Sequence, residues 1–347
     1  MDLSRISQRR TEIMGFACLY VIAFHNIIDW PRLFHPLELF CSTGIGVEVF
    51  MLLSGVGLYY SYSKTENTPG FLKKRFVRLL VPYTLIALPF FIWNHILGRG
   101  NVFLTFTNIA FPLQGAKTTW FIAAISVFYL IYPFVYKLQK YETRIAGRTI
   151  SDTGVTIFLC SVWFVILLIL RKMTPTFYKN CEIALTRFIV FLLGCWLGKY
   201  IKEGRKISGA VPFLFIAIFF VYIYLFHVEV KIPAFWRRMI HVPLAFGGLF
   251  LFYYLSVLFD RLHLKKIIEF FGKRSLEIYL SHVLLLKIYQ YYVGPKRFDR
   301  WDLVGYLIVI IVSVAVSSVI HPLANRICAG LLSLGKKKTV EKGSPER

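Results

Sequence analysis

The chain predicts an all-α integral membrane protein of about ten transmembrane helices with both termini cytoplasmic. Three observations carry this: the composition, the lengths of the apolar stretches, and the way basic residues alternate between the segments joining them. Hydrophobic residues make up 57% of the 347 and charged residues only 17%, too little polar material to cover a water-facing surface. A hydrocarbon core takes about 20 mostly apolar residues per helical crossing. Stretches of that kind lie at approximately 11–28, 39–63, 76–97, 119–136, 155–170, 183–200, 210–228, 240–259, 276–293 and 303–323. Their apolar residues run all round rather than alternating, which favours helices over a barrel.

The first stretch follows a basic N-terminus but lacks a small-residue cleavage site, so it reads as a retained helix rather than a signal peptide. Each further stretch reverses the side on which the next segment emerges. Segments on the N-terminal side hold 27 Lys and Arg in total and those on the other side 12, and cytoplasmic loops keep the excess. That bias, with attraction to anionic lipids worth about 1 kcal/mol per basic residue near the surface, accounts for the net charge of +23. Nucleic acid is not needed to explain it. The longest loops, 98–118 and 137–154, cannot bury a core, so residues 1–334 form one membrane domain. Residues 335–347, with Lys336, Lys337 and Lys338, read as a basic disordered tail. The six cysteines show no metal-ligand spacing and no metal site is expected. Cys18, Cys160 and Cys195 fall inside spans as packing residues, and a bridge between Cys41 and Cys181 is an open alternative.

A titratable side chain at membrane depth costs several kcal/mol unless paired or hydrated. Those counted within the spans are His25, Glu48, Arg187, Glu277, His282 and Lys287. His25, Glu48 and Arg187 fall near one depth, just below the outer surface. A His beside a carboxylate is the minimal general-base unit, and an Arg nearby can stabilise an oxyanion. The opposing reading has His25 bonding a neighbouring helix while Glu48 and Arg187 neutralise each other. Glu277 and His282 lie toward the inner end of the ninth span, where structural and accessory roles compete, and Lys287 is expected in an internal ion pair. At the inner surface KKRFVRLLVPY (73–83) gathers Lys73, Lys74, Arg75 and Arg78. These suit donor phosphates or ordinary membrane anchoring.

Several segments together resemble the acyltransferase 3 family, bacterial membrane O-acyltransferases that modify cell-surface polysaccharides. The resemblance covers roughly residues 8 to 330. EIMGFACLYVIAFHN (12–26) is similar to the family's opening motif with its His at His25, and GIGVEVFMLLSGVGLYYS (44–61) to its Gly-Val-Asp-x-Phe-Phe-x-x-Ser-Gly segment. In the latter, Glu48 replaces the Asp while Ser54 and Gly55 are retained. KKRFVRLLVPY resembles an Arg-x-x-Arg-x-x-x-Pro segment through Arg75, Arg78 and Pro82. TWFIAAISVFYLIYP (119–133) resembles a Trp-Phe helix, and FFGKRSLEIYLSH (270–282) a Gly-x-x-Ser-x-x-x-Tyr-Leu-x-His segment. One departure stands out: the family's first helix carries an Arg eleven residues before its His, and here that position is Met14. Arg9 or Arg10, one turn earlier, are candidate substitutes.

The resemblance implies transfer of an acyl group, most often acetyl, from cytosolic acetyl-CoA to a sugar hydroxyl of an extracytoplasmic glycan. The chain would then reside in the bacterial inner membrane, with acyl-CoA and a polysaccharide or lipid-linked glycan as substrates and no bound cofactor. His25 would be general base with Glu48, by depth, as its orienting partner. Arg75, Arg78 and Lys74 would hold donor phosphates, Arg187 and Trp120 would face the acceptor or oxyanion, and His282, Glu277 and Ser54 would be accessory. A transporter or flippase of a glycan or acyl carrier would use the same buried charges without chemistry. Against it, no inverted repeat is visible in the sequence.

Overall fold

The architecture was taken from a computed structural model, which describes residues 1–25, 39–41, 43–140, 143–145, 148–228, 232–294 and 300–341. Among these the chain forms α1 (Ser4–Gln8), α2 (Arg10–Phe24), α3 (Ile45–Tyr62), α4 (Thr68–Ile96), α5 (Val102–Phe106), α6 (Ala110–Gln114) and α7 (Trp120–Lys140). A small antiparallel hairpin, β1 (Thr143–Ile145) and β2 (Arg148–Ile150), pairs Arg144 with Thr149. It is followed by α8 (Asp152–Met173), α9 (Pro175–Leu185), α10 (Arg187–Lys202), α11 (Ala210–His227), α12 (Ala234–Arg261), α13 (Lys265–Lys273), α14 (Ser275–Val293) and α15 (Arg300–Glu341).

Among the described residues seven segments are long and apolar enough to cross a membrane: α3, α4, α7, α8, the α9–α10 run, α12 and α15. The remaining expected spans fall on α2, α11 and α14, which are shorter or less apolar. The last residues of the first expected span, 26–28, lie outside the described residues.

Boundaries differ from the sequence reading where local chemistry decides them. Helix α4 starts at Thr68, eight residues before the apolar run, because the Asn67 side chain accepts from the Gly70 N–H at 3.1 Å and Pro69 sits in the first turn, where a missing N–H costs nothing. Ser151 caps α8 in the same way through Gly154 N–H, 3.2 Å. The loop 98–118 carries α5 and α6, and 260–275 carries α13, which is amphipathic. Helix α15 continues through 335–341, the first part of the expected disordered tail, and residues 342–347 lie outside the described set. All six cysteines are free, Cys41 and Cys181 included.

Helix α3 is the centre of the bundle, touching α2, α10 and α12, and its interior face of Ile45, Val49, Leu52 and Val56 is at most 1% exposed. Among the described residues α3 and α10 share the most extensive helix contact, and a close one. A Cβ on Gly55 would come within 2.6 Å of Phe191 O and Cys195 N, and one on Gly194 would collide with the Leu52 carbonyl. Gly194 and Gly198 form a small-xxx-small pair that brings the two backbones together, which supplies packing energy between helices that lipid does not drive together. The same device docks α13 on α2: Gly15 meets the Ile268 carbonyl and Gly272 meets Thr11. Because α13 lies against α2 at residues 11–15, α14 begins part-way along α2. At the same end of the bundle Leu3 N–H donates to Arg205 O at 3.1 Å, tying the N-terminus to the α10–α11 turn.

Candidate active site

Two clusters of polar side chains are buried between these helices, and a cleft joins a third group to one of them. The first cluster is built on Glu48, 1% exposed on the first turn of α3. Its Oε1 accepts from Arg187 Nη2 at 2.7 Å and from His241 Nδ1 at 2.8 Å. Arg187, 6% exposed at the start of α10, also donates through Nη1 to the Ile183 carbonyl at 2.8 Å and lies over the Trp120 ring, 4.9 Å from its centroid. Beyond it Arg238 pairs with Glu182 at 3.5 Å. One carboxylate therefore ties α3, α10 and α12, and the charge it carries is compensated on the spot. Buried ion pairs hold together when both partners are present and leave a costly residue when one is removed.

The expected His25–Glu48 pair is not formed among the described residues: Glu48 Oε1 is held by Arg187 and His241, and its Oε2 accepts no hydrogen bond. His25 is oriented by its own helix. Its ring Nδ1 lies 2.9 Å from the Val21 carbonyl one turn earlier. A carbonyl can only accept, so that contact places the proton on Nδ1 and leaves Nε2 as the basic nitrogen of the neutral ring.

His25 packs against His282 of α14, ring centroids 5.3 Å apart and tilted 58°. His282 is 0% exposed and neither ring nitrogen has a hydrogen-bond partner among the described residues. The sequence reading put His282 nearer the inner end. The structure brings it level with His25 because α14 starts part-way along α2.

Below His25 a cleft of about 170 Å³ runs along α2 between α3, α4, α7 and α14. Val21, the residue that fixes the His25 ring, lines it together with Val47, Phe50, Phe121 and Tyr279, and at its other end lie Arg10 and Arg75 with Ser54, Ser275 and Tyr129. The Phe121 and Tyr279 rings, 5.6 Å apart, form one wall, and Trp120 beside Arg187 continues it at 6.1 Å from Phe121. Met14 lines the same cleft. The second of the two candidate substitutes for its missing arginine, Arg10, reaches into the cleft, whereas Arg9 is engaged by Asp260 at 2.7 Å.

The other predicted residues scatter. Arg78 and Lys74 are exposed on α4 and do not line the cleft. Glu277 accepts from His321 Nδ1 of α15 at 2.9 Å, and Asn325 lies 3.0 Å from the other nitrogen of that ring. This ties α14 to α15 away from His25. Lys287 is exposed on α14 and forms no ion pair among the described residues, since its four-carbon stem reaches out from the bundle. No group of three or more metal-binding side chains occurs among the described residues. Sequence reasoning missed His241 and His321, and reached Arg10 only as a candidate substitute for the arginine absent at position 14. His241 is the second residue of the eighth span and Arg10 immediately precedes the first, so both fell at edges that a hydropathy count treats as interface.

A bundle of membrane-length apolar helices that encloses an arginine-ended cleft and a tautomer-fixed histidine defines a membrane protein with its polar chemistry inside the bundle. Over residues 15–321 the chain matches the acyltransferase domain of the acyltransferase 3 family, and it belongs to that family of membrane acyltransferases. No curated protein and no solved structure matches it at a significant level.

Proposed function

We propose that the protein transfers an acyl group, acetyl foremost, from cytosolic acetyl-CoA to a sugar hydroxyl of a capsular, exopolysaccharide or O-antigen repeat unit at the bacterial inner membrane, with both termini cytoplasmic. The observation that carries this reading is the cleft itself, which begins at two arginines suited to donor phosphates and ends one helical turn below His25. The acceptor approaches from the opposite, extracytoplasmic end of α2. His25 Nε2 removes the hydroxyl proton as the sugar oxygen bonds to the thioester carbonyl carbon. The C–S bond then breaks, and the proton held on Nε2 passes to the departing thiolate, leaving ester and free thiol. With Nδ1–H held by Val21 O, the ring needs no carboxylate to keep its tautomer. Arg187, with Glu48 opposite and Trp120 beneath, shapes the acceptor end as a neutralised pair rather than acting as a free cation. Anionic inner-leaflet lipids hold the basic segments.

The test is cellular. His25→Ala is expected to leave the surface glycan exported at normal length but without its O-acyl resonances by NMR. Loss of export with unchanged acylation per repeat would instead assign the protein to transport.

A further inference from the structure

The acyl-transfer step develops one charge that no side chain has yet been given to hold. As the sugar oxygen bonds to the thioester carbonyl carbon, an electron pair moves onto the carbonyl oxygen, and that oxyanion needs a hydrogen-bond donor already in place. Both terminal nitrogens of Arg187 are engaged, by Glu48 Oε1 at 2.7 Å and by the Ile183 carbonyl at 2.8 Å. His282 is unspent. Its ring is 0% exposed, and among the described residues neither nitrogen has a hydrogen-bond partner. A neutral imidazole carries one N–H and one lone pair, so a donor and an acceptor are buried together unused, which folded proteins rarely keep without a reason. Its polar neighbours on α14 are satisfied: Ser281 donates to the Glu277 carbonyl at 2.8 Å, and the Glu277 side chain accepts from His321 at 2.9 Å.

The position of the ring is as specific as its isolation. On α14 Ser275 and Tyr279 line the cleft, and His282 follows Tyr279 by three residues on the same helix face. On α2 Val21 lines it, and His25 follows Val21 by four. Each helix thus carries its histidine one turn past a cleft-lining residue, and there the two rings meet, centroids 5.3 Å apart. A carbonyl brought along the cleft to His25 Nε2 comes within reach of His282. Because His25 becomes an imidazolium during the step, a second positive charge against it in a low-dielectric interior repels. The donor called for here is a neutral N–H, which an imidazole supplies and a lysine or arginine does not.

We infer that His282 is a second catalytic residue, whose N–H holds the carbonyl oxygen of the acyl donor and stabilises the oxyanion while His25 moves the proton. The inference deepens the acyl-transfer reading and rests on it. His282 keeps its own proton throughout: the pair on the oxyanion returns to carbon as the C–S bond breaks, and the thiolate takes its proton from His25 Nε2.

The experiment uses the full chain in nanodiscs, with acetyl-CoA as donor and, as acceptor, the unacylated surface glycan isolated from cells carrying His25→Ala. His282→Leu is expected to lower kcat about a hundredfold with KM for acetyl-CoA unchanged, since the bond strengthens only as charge develops. The acid limb of its pH profile is expected to stay in place, because that limb belongs to the base, His25. An amide that reaches the donating position restores the bond: His282→Asn matches Nδ1 and His282→Gln matches Nε2, and one of the two is expected to exceed His282→Leu by at least about tenfold in kcat. A kcat for His282→Leu equal to that of the unaltered protein overturns the inference, as does a loss confined to KM. A displaced acid limb makes His282 the base and overturns it too. If His282→Leu melts well below the unaltered protein, the two amides decide: both bury the same polar group, so equal kcat in the pair assigns His282 to packing. An unaltered protein that leaves the isolated glycan unacylated removes the acyl-transfer reading, and this inference with it.

Discussion

At the scale of single residues, the chemistry divides between side chains that are satisfied and side chains that are not. Glu48 and Arg187 compensate each other's charge, and each is the other's reason for being tolerated in the interior, although Glu48 Oε2 and Arg187 Nε make no hydrogen bond among the described residues. Neutralising one alone leaves a buried charge, a change that costs about 3–5 kcal/mol in comparable pairs. Glu48→Gln and Arg187→Met are each expected to lower the melting temperature sharply in detergent, and the double variant to lose much less than the sum. Additive losses in that cycle would show that the pair is not coupled. His282 is the opposite case: no hydrogen bond is lost when its ring goes, so His282→Leu is expected to change stability by no more than about 1 kcal/mol. Because the ring lies against His25, the same variant is expected to lower kcat at least tenfold, measured as acyl transfer by the purified protein.

These residues also show what the sequence could and could not disclose. A charged residue in an apolar run is visible at once, and His25, Glu48 and Arg187 stood out on that ground. Which partner each takes depends on helix rotation and depth, which hydropathy does not encode. Depth alone suggested a His25–Glu48 dyad, but rotation gives Glu48 to His241 on α12 and gives His25 the Val21 carbonyl of its own turn. Arg10 was readable only as one of two candidate substitutes for the arginine absent at position 14, and its approach to Arg75 depends on how α2 meets α3 and α4.

At the scale of elements, glycine contacts set the geometry on which the site depends. Replacing Gly194 by Val forces Cβ and two methyls into the Leu52 carbonyl, where neither backbone can give way, and is expected to cost at least about 1–3 kcal/mol, read as a lower melting temperature with loss of activity. The helices themselves were legible, since among the described residues the expected spans fall on helices, the 183–200 stretch across both α9 and α10. The interfacial pieces were not: α5, α6 and α13 are too short or too polar to register as spans, yet α13 determines where α14 begins.

The turn between α3 and α4 carries a pH-dependent clamp. Lys140 and Tyr136 donate to Glu66, and these hydrogen bonds, Lys140 first, hold its carboxyl below the usual carboxylate range. A depressed carboxyl contributes stability that is present above its unfolded pKa, about 4.3, and is lost as pH falls through the folded value. Melting temperature should therefore decline below about pH 4, and less so in Glu66→Gln.

At the scale of the whole molecule, the cleft and the helix that walls it have a length as well as a chemistry. Arg10 and His25 stand at the two ends of α2, fifteen residues apart in sequence, or about 22 Å at 1.5 Å per residue. That span makes α2 a ruler for the donor under the proposed reading: the phosphates must sit roughly one membrane-leaflet thickness from the carbonyl that is attacked. A donor whose phosphate adjoins its acyl group, such as acetyl phosphate, can occupy one end or the other but not both. It is expected to support no transfer at concentrations that saturate with acetyl-CoA, in an assay of acyl transfer by the reconstituted protein. What the helix selects on this view is the length of the arm between the donor's anchor and its cargo, ahead of the identity of the cargo itself.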